Sequence, residues 1–335
     1  MQATVNAKEL KAAVTFVSKV IRKPVLPILH CVLLSAEDGK LTVRATNLDI
    51  DLARTVKADV QETGQLTVDA KALKGYLGKV KGKGAVVSIE SKPNLWATYT
   101  ANGISVTLSA LPTDDYPLSL TDVDWDHALG FGPDNLKQIA KFADHEDRTR
   151  IVLKCVLVEV YNGEDYRYRL TTADGYRLAS TNAIEGEAVA SYLLPVQAAE
   201  IIAGLKSTGV LKFGSHKYTN ESLVGYAEFA TGDSTVRSRL EEGKFPDYSQ
   251  IIPASDKGTW VTFDTAALTE KLESLAAIAD KYSHLVRIEL HYDLAMLSVT
   301  DNDGNEGSAV LSLDWTGEEG FAIAFNAKYL SLIHI

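Results

Sequence analysis

Long apolar runs and cysteines are both scarce in this sequence of 335 residues. No stretch approaches the roughly 18 uninterrupted apolar residues of a membrane helix, and the first residues, MQATVNAKELKAAV, contain no apolar signal core. The two cysteines, Cys31 and Cys155, lie in the apolar runs HCVLL and KCVLVEV, which favours small buried side chains over a disulfide. These features predict a cytoplasmic protein without a membrane segment.

Recognisable catalytic and metal-binding motifs are also missing. The segment GKVKGKG at 78–84 lacks the GK[ST] ending of a phosphate-binding loop. DNDGNE at 301–306 resembles the start of a calcium loop without its closing glutamate, and the seven histidines form no HExxH or metal-like pair. We therefore predict no cofactor, no metal and no catalytic residue. Two function classes remain, a non-catalytic ring or scaffold on nucleic acid and an enzyme whose site no motif reveals, and the absences favour the first.

The chain also lacks an overall excess of positive charge, because it contains 34 Lys and Arg and 44 Asp and Glu, which gives a net charge of −10. Two helical stretches depart from this balance: residues 6–23 and residues 69–83 each carry five cations and one anion. Each lysine alone is best explained as part of a solvated helix face. As a set, equivalent basic helices predict a surface that holds a phosphate backbone through non-specific, salt-sensitive contacts.

A repeat of about 63 residues organises the chain. The segments ATVNAKELKAAV (3–14) and LTVDAKALKGYL (66–77) both read as a short strand, an Asn or Asp N-cap and an amphipathic helix. Similar junctions follow at intervals of 63, 63, 63, 69 and 62 residues. The six junctions come after Val5, Val68, Phe131, Leu194, Phe263 and Phe325. Between the junctions, apolar and polar residues alternate as they do in antiparallel strands.

Pairs of repeats predict an α+β fold with three similar domains, at 1–121, 122–252 and 253–335. Each domain would contain two helices backed by antiparallel sheet, with linkers rich in proline and turn residues at 111–120 and 243–258. The sixth repeat stops ten residues after Phe325. We therefore expect that the chain is C-terminally truncated by roughly 40 to 50 residues, with an exposed sheet edge in the third domain. The final SLIHI does not resemble the other repeats.

The segment LTTADGYRLAS (170–180) is a candidate surface within the third repeat. Asp174-Gly175 signals a turn, and Tyr176, Arg177 and Leu178 place an aromatic ring, a cation and an apolar side chain together. The repeat aligns this corner with VRATNLDIDLA (43–53) in the first repeat. It is either a plain hairpin corner or a docking surface.

Five segments resemble one family. These are RKPVLPILHCVLL (22–34), LSALPTDDYP (108–117), TADGYRLAS (172–180), EGKFPDYSQIIP (242–253) and FNAKYL (325–330). In this order they are similar to the bacterial sliding clamps, the beta subunits of DNA polymerase III. The resemblance implies a head-to-tail homodimeric ring with helices inside and sheets outside. Such a ring encircles duplex DNA and tethers polymerase, clamp loader and repair proteins through short linear motifs, in the bacterial cytoplasm at the nucleoid. The alternative is a DNA-binding scaffold that closes no ring.

The resemblance also implies site residues. The DNA contacts would be Lys23, Lys71, Arg148 and Arg150. The partner-peptide pocket would contain Ala173, Gly175, Tyr176, Arg177, Leu178, Pro246 and Ile251, completed in the family by a C-terminal segment that this sequence lacks. The dimer contact would join Val106 and Leu108 to Ile278 and Ala279 of a second copy, and an alanine at 279 would fill little volume.

Overall fold

The computed structural model describes residues 1–22, 24–117, 122–144, 149–162, 167–181, 184, 186–252, 260–313 and 315–330. It contains two compact units, Met1–Phe245 and Pro246–Ile335. Among the described residues, no helix combines the length and apolar character needed to span a membrane.

The first compact unit contains the first four repeats. Its strands are β1 (Gln2–Asn6), β2 (Cys31–Glu37), β3 (Lys40–Thr46), β4 (Ile50–Glu62), β5 (Gly64–Asp69), β6 (Val86–Lys92), β7 (Trp96–Ala101), β8 (Ile104–Ser109), β9 (Asp124–Phe131), β10 (Cys155–Tyr161), β11 (Arg167–Ala173), β12 (Leu178–Ser180), β13 (Ala190–Pro195), β14 (Gly209–Lys217), β15 (Leu223–Ala230) and β16 (Ser234–Arg239). Its helices are α1 (Ala7–Val17), α2 (Ala70–Lys79), α3 (Asp134–Ile139) and α4 (Val196–Ala203). Each repeat is thus a strand, a helix and three strands, which confirms the predicted α+β class.

The predicted side-chain caps begin the helices of the first two repeats. Asn6 Oδ1 accepts hydrogen bonds from the backbone N–H groups of Lys8 (3.0 Å) and Glu9 (3.2 Å). Asp69 Oδ1 accepts one from the N–H of Ala72 (2.7 Å). These bonds satisfy N–H groups that the first helical turn leaves unpaired. In the third and fourth repeats, prolines occupy the cap position and offer no side-chain hydrogen bond.

Strands are exchanged between the two repeats of a pair. The strand before each helix pairs with the first strand after the helix of the companion repeat, so β1 pairs with β6 and β5 with β2. In the same way, β9 pairs with β14 and β13 with β10. This exchange gives each pair of repeats a shared core, because neither repeat completes its own sheet.

The 13-residue strand β4 joins the first pair of repeats to the second. It pairs antiparallel with β16, from Ile50 opposite Ser238 to Arg54 opposite Ser234. One sheet therefore runs in the order β8-β7-β6-β1-β4-β16-β15-β14-β9, with β3, β2 and β5 joined to it through β4, and β12-β11-β10-β13 form a second sheet. The proposed domain boundary at 121/122 touches residues outside the described part and stays a prediction.

The core of the first compact unit lies between these sheets and their helices. Tyr99, Phe131, Phe213 and Phe229 are almost completely buried there. Burying one such large apolar side chain contributes about 1.5–3 kcal/mol relative to exposure. Cys31 and Cys155 are buried as predicted. Burial, with a smaller effect of nearby carboxylates, raises the pKa of Cys31 to about 11 and that of Cys155 to about 12, so both thiols stay protonated and unreactive at neutral pH.

The second compact unit contains the remaining repeats. Its elements are α5 (Thr265–Ala276), β17 (Leu285–Leu290), β18 (Leu294–Thr300), β19 (Glu306–Ser312), β20 (Phe321–Asn326) and α6 (Ala327–Leu330). The sheet order is β19-β18-β17-β20. Asp264 and Asn326 cap α5 and α6, through bonds to Ala267 N–H and to Lys328 and Tyr329 N–H.

One predicted strand of this unit is absent. Residues 260–263, which the structure describes, form no strand before α5. By the exchange rule, their companion strand would follow α6 in the sixth repeat, and the described residues, which end at Leu330, contain no such strand. A strand requires a partner for its backbone hydrogen bonds, so the strand prediction was wrong here.

Strand β20 is an edge of the described sheet, where it pairs only with β17. Phe321, Ile323 and Phe325 stand opposite buried residues of β17 but remain 43%, 41% and 41% exposed. Three large side chains on the core side of the sheet are thus only partly covered. This observation agrees with the exposed edge expected for the third domain.

Candidate functional site

The 174–177 corner is a tight turn between β11 and β12. One carboxylate oxygen of Asp174 accepts hydrogen bonds from the N–H groups of Tyr176 (2.9 Å) and Arg177 (2.8 Å). The Asp174 N–H donates to the Arg177 carbonyl at 3.2 Å. Gly175 has φ +92°, a left-handed conformation that glycine adopts without strain. The Asp-Gly pair thus forms the predicted turn.

A short ion pair stabilises this corner from within. The Arg177 guanidinium donates to the second Asp174 carboxylate oxygen from Nε (2.8 Å) and Nη2 (2.7 Å), and it stacks 5.5 Å from the Phe142 ring. Burial of Asp174 opposes its ionisation, but the hydrogen bonds from Tyr176 and Arg177 prevail and lower its pKa below the ordinary value. The corner therefore contains a permanently ionised carboxylate at neutral pH.

Arg150 packs against the same corner. Its Nη2 lies 3.7 Å from Asp144 Oδ2 and 3.5 Å from the Asp174 carbonyl oxygen, to which it donates. A Cβ added at Gly175 would stand 2.6 Å from Arg150 Nη1. The structure thus brings a predicted DNA contact together with the predicted peptide surface. Whether Arg150 also contacts DNA stays a prediction, and Arg148 lies outside the described residues.

The side chains around the corner present a mixed apolar and polar surface. Tyr176 is 82% exposed, whereas Ala173, Arg177 and Leu178 are partly exposed. The other predicted pocket residues, Pro246 and Ile251, belong to the second compact unit, where both are exposed. Sequence reasoning missed the organising role of Asp174 and the support from Phe142. The Asp-Gly turn signal could have revealed Asp174, but no local pattern points to Phe142.

The basic helices α1 and α2 pack against each other in the first pair of repeats. Lys8 and Lys11 of α1 and Lys71 and Lys74 of α2 are exposed, and none of them forms an ion pair within the described part of the chain. Their charges are therefore available to an external anion. Lys23 lies outside the described residues.

Lys19 differs from these lysines. Its Nζ lies 5.5 Å from the centre of the Phe16 ring and would stand 2.9 Å from a Cβ placed at Gly204, at the end of α4. Burial and, second, the nearby Arg54 lower the pKa of Lys19 below the ordinary lysine value. The Lys19 ammonium group thus lies beside the end of α4, in surroundings that disfavour its charged form.

The predicted dimer residues of the first compact unit lie on β8. This strand pairs with β7 and is an edge in the described sheet. Val106 and Leu108 are partly exposed, and Leu108 also packs on the core. In the second compact unit, Ile278 is 39% exposed, whereas Ala279 is only 6% exposed and belongs to the core. Of that pair, only Ile278 offers appreciable apolar surface.

The described residues hold no group of three or more His, Cys, Asp or Glu side chains suited to a metal ion. Paired repeats with exchanged strands, two exposed basic helices and open sheet edges define the fold of a DNA clamp. Residues 1–121 match the family model described as DNA polymerase III beta subunit, N-terminal domain.

Relatives and solved structures cover nearly the whole chain. The beta sliding clamps of Caulobacter vibrioides (strain NA1000 / CB15N) and of Synechocystis sp. are 27% and 28% identical, and each alignment covers 98% of this chain and 89% of the relative. A crystal structure of the Caulobacter crescentus beta sliding clamp has a TM-score of 0.85 at 26% identity, and covers 99% of this chain and 89% of that one. Over nearly its whole length, the chain is therefore similar to the bacterial beta sliding clamps, the beta subunits of DNA polymerase III.

Proposed function

We propose that this protein is a processivity factor of replication, a homodimeric ring that encircles duplex DNA and tethers its partners. The observation that carries the proposal is the pair of basic faces on α1 and α2, whose exposed lysines form no ion pair in the part of the chain that the structure describes, in a chain with a net charge of −10. An excess of positive charge on equivalent helices suits the DNA backbone, and the acidic remainder discourages binding elsewhere. The match of residues 1–121 to a family domain also supports the first proposed domain, 1–121. The domains 122–252 and 253–335 remain part of the proposal.

The DNA contacts in this proposal are weak and independent of base sequence. Lysines that contact phosphates contribute salt-dependent affinity without reading base edges. A closed ring remains on DNA through its topology, so strong contacts would only slow its sliding. We assign Lys71 to this surface, together with Lys23 and Arg148 as continuing predictions. No step in this function requires catalysis, and we propose a non-catalytic protein of the bacterial cytoplasm, located at the nucleoid.

We assign the 174–177 corner to partner docking. The exposed Tyr176 ring and the Leu178 side chain suit apolar anchors, and the rigid Asp174–Arg177 pair offers polar orientation. Pro246 and Ile251 remain predicted members of this surface. Clamps of Pseudomonas aeruginosa and Bartonella birtlesii, at 23% and 22% identity, have been crystallised with griselimycin bound. The partners we propose are polymerase, clamp loader and repair proteins that carry short linear motifs.

Strand pairing supports the proposed dimer. Within the chain, the last strand of the first repeat, β4, pairs with the last strand of the fourth, β16. The last strands of the second and fifth repeats, β8 and β19, are both sheet edges in the described residues. Pairing of β8 in one copy with β19 in another would repeat the β4–β16 arrangement. It would place Val106 and Leu108 at a subunit interface near Ile278 of the second copy.

Retention on circular DNA tests the ring. After loading onto nicked circular duplex at moderate salt, the protein is expected to elute with the DNA during gel filtration. Cutting the circle once with a restriction enzyme should release most of it, because a ring slides off a free end. Equal retention on circular and linear DNA would favour the alternative, an ordinary DNA-binding scaffold.

The substitution Lys71→Glu is expected to weaken binding to linear duplex at low salt, equally for unrelated sequences. Loss of one phosphate contact should lower the slope of log K against log salt by about 1. Fluorescence anisotropy with two unrelated duplexes measures both quantities. Lys217→Glu provides the control, since Lys217 is an exposed lysine at the end of β14, outside the basic helices. A loss confined to one DNA sequence would contradict phosphate-only contact.

A further inference from the structure

The first repeat contains a second corner with the backbone geometry of the 174–177 docking corner. Asn47 Oδ1 accepts hydrogen bonds from the N–H groups of Asp49 (3.1 Å) and Ile50 (2.7 Å). The Asn47 N–H donates to the Ile50 carbonyl at 3.1 Å. Asn47 thus takes the place of Asp174, and the left-handed residue that follows it is Leu48 (φ +81°) instead of Gly175.

Leu48 is unusual on two counts. A leucine in the left-handed region is strained, because its Cβ crowds the following carbonyl oxygen. Its side chain is nevertheless 60% exposed, so packing in the core does not compensate for the strain. Val25 (95% exposed) and Leu26 (50% exposed) line the same cavity as Leu48. Together they form a patch of exposed apolar side chains at this corner.

Two cavities lie beside this second corner, within the first compact unit. One, of about 390 Å³, is lined by the apolar patch and by Arg22. The other, of about 510 Å³, is lined by Asp49 and by the residues that follow β16. Asn47 and Gln197 line both cavities. Gln197 Nε2 is shielded from solvent and has no hydrogen-bond partner in the described part of the chain, which leaves a donor unused where the cavities meet.

The larger cavity is acidic. Asp49, Glu241 and Glu242 line it together with a single cation, Arg239. None of these four groups forms an ion pair within the described residues. A ligand with positive charge would be favoured there, whereas the smaller cavity favours an apolar group.

We propose that the Asn47–Ile50 corner is a second docking site, which binds a short extended segment of a partner protein with an apolar anchor followed by basic residues. The anchor packs on Leu48, Val25 and Leu26, and the basic side chains reach Asp49 and Glu241. The assignment of a docking role rests in part on the proposed function of the equivalent 174–177 corner. The two corners differ in the partners they select. Asp49 occupies the position of the exposed Tyr176, and Glu241 and Glu242 line the same cavity as Asp49.

The experiment uses the full chain and a fluorescein-labelled hexapeptide, Gly-Leu-Leu-Lys-Lys-Gly, in an anisotropy titration. Leu48→Gly should weaken binding at least about tenfold, since it removes a central apolar contact. The same variant should melt at or above the wild-type temperature, because glycine relieves the left-handed strain. Leu48→Asn, a residue that also tolerates this backbone conformation, should give the same loss. A peptide with both lysines replaced by glutamate should bind at least about tenfold more weakly to the wild type.

Two controls separate this site from the 174–177 corner and from the ring itself. Leu223→Gly changes another exposed leucine, which lines neither cavity, and should leave the affinity unchanged. Tyr176→Ala should also leave it unchanged, and Leu48→Gly should still be retained on circular DNA. Unchanged affinity in both Leu48 variants would overturn the proposal, and so would a loss seen only with Tyr176→Ala. Neither result would affect the circular-DNA test of the clamp.

Discussion

Replacing Asp174 with alanine is expected to disrupt the 174–177 corner and to abolish partner docking there. The substitution removes four hydrogen bonds, two from backbone N–H groups and two from the Arg177 guanidinium. It also leaves Arg177, whose side chain is only 18% exposed, without its carboxylate. Losing one partner of a largely buried ion pair costs about 2–4 kcal/mol of folding free energy. Urea denaturation measures this loss, and anisotropy with a labelled clamp-binding peptide measures docking.

Asp301→Ala is the matched control for this substitution. Asp301 makes a related turn, accepting from the N–H groups of Asp303 (2.9 Å) and Asn305 (2.7 Å), but it is partly exposed and lies among exposed residues. Water replaces its lost hydrogen bonds, so a smaller loss of stability and unchanged docking are expected. Equal effects of the two substitutions would show that burial and the Arg177 ion pair contribute nothing to stability or docking at the 174–177 corner.

The contribution of Asp174 to the free energy of unfolding should decrease as the pH falls. Its folded-state pKa lies below the ordinary aspartate value of 3.8, because hydrogen bonds to the ionised form outweigh its burial. The contribution is therefore fully present above the unfolded-state pKa and is lost as the pH falls through the lowered folded-state pKa. The difference in unfolding free energy between wild type and Asp174→Asn should be constant from pH 6 to about pH 5 and shrink below about pH 4. A difference that grows on acidification would contradict this assignment.

The substitution Val106→Asp is expected to separate the dimer and to end retention on circular DNA. A carboxylate on β8 would lie in the proposed pairing of β8 with β19, where it would lose water without gaining a partner. A penalty of about 2–3 kcal/mol raises the dissociation constant by roughly 30- to 150-fold. Light scattering should show a mass near twice 36.4 kDa for the wild type and near 36.4 kDa for the variant at the same concentration.

Val210→Asp is the control for the dimer prediction. Val210 is likewise a valine with solvent-accessible surface on an antiparallel strand, but β14 has a neighbouring strand on each side. The control should keep the wild-type mass and remain on circular DNA. If Val106→Asp stays dimeric while its melting temperature is unchanged, the subunit interface lies elsewhere.

Local signals in the sequence were sufficient for much of the fold. The Asn6 and Asp69 caps, the helices that follow them and the turn at Asp174-Gly175 depend on hydrogen bonds between residues two or three positions apart. Such bonds require only the right side chain at the right spacing. The strand expected at 260–263 depended instead on a distant partner, and there the local pattern was misleading.

In the candidate site, too, the sequence indicated some features and not others. The family motif located Tyr176 and Leu178, but nothing near Arg150 in sequence indicates that its guanidinium lies against the Asp174 carbonyl. Nor does the alignment of Leu48 with Gly175 reveal that the leucine keeps the left-handed backbone. Both facts concern how separate segments meet or bend in the folded chain.

The amino-acid sequence by itself determined the six-fold repeat, the caps of α1 and α2, the basic character of both helices and the turn at Asp174-Gly175. These features follow from residue type, spacing and charge, which act over a few positions along the chain. Only the tertiary structure decided that strands are exchanged between repeats, that Ala279 is buried beside an exposed Ile278, and that cavities flank Asn47. Those outcomes depend on which segments, far apart in the sequence, pack together and exclude water. Burial and strand pairing arise from contacts between segments, so no single segment contains them.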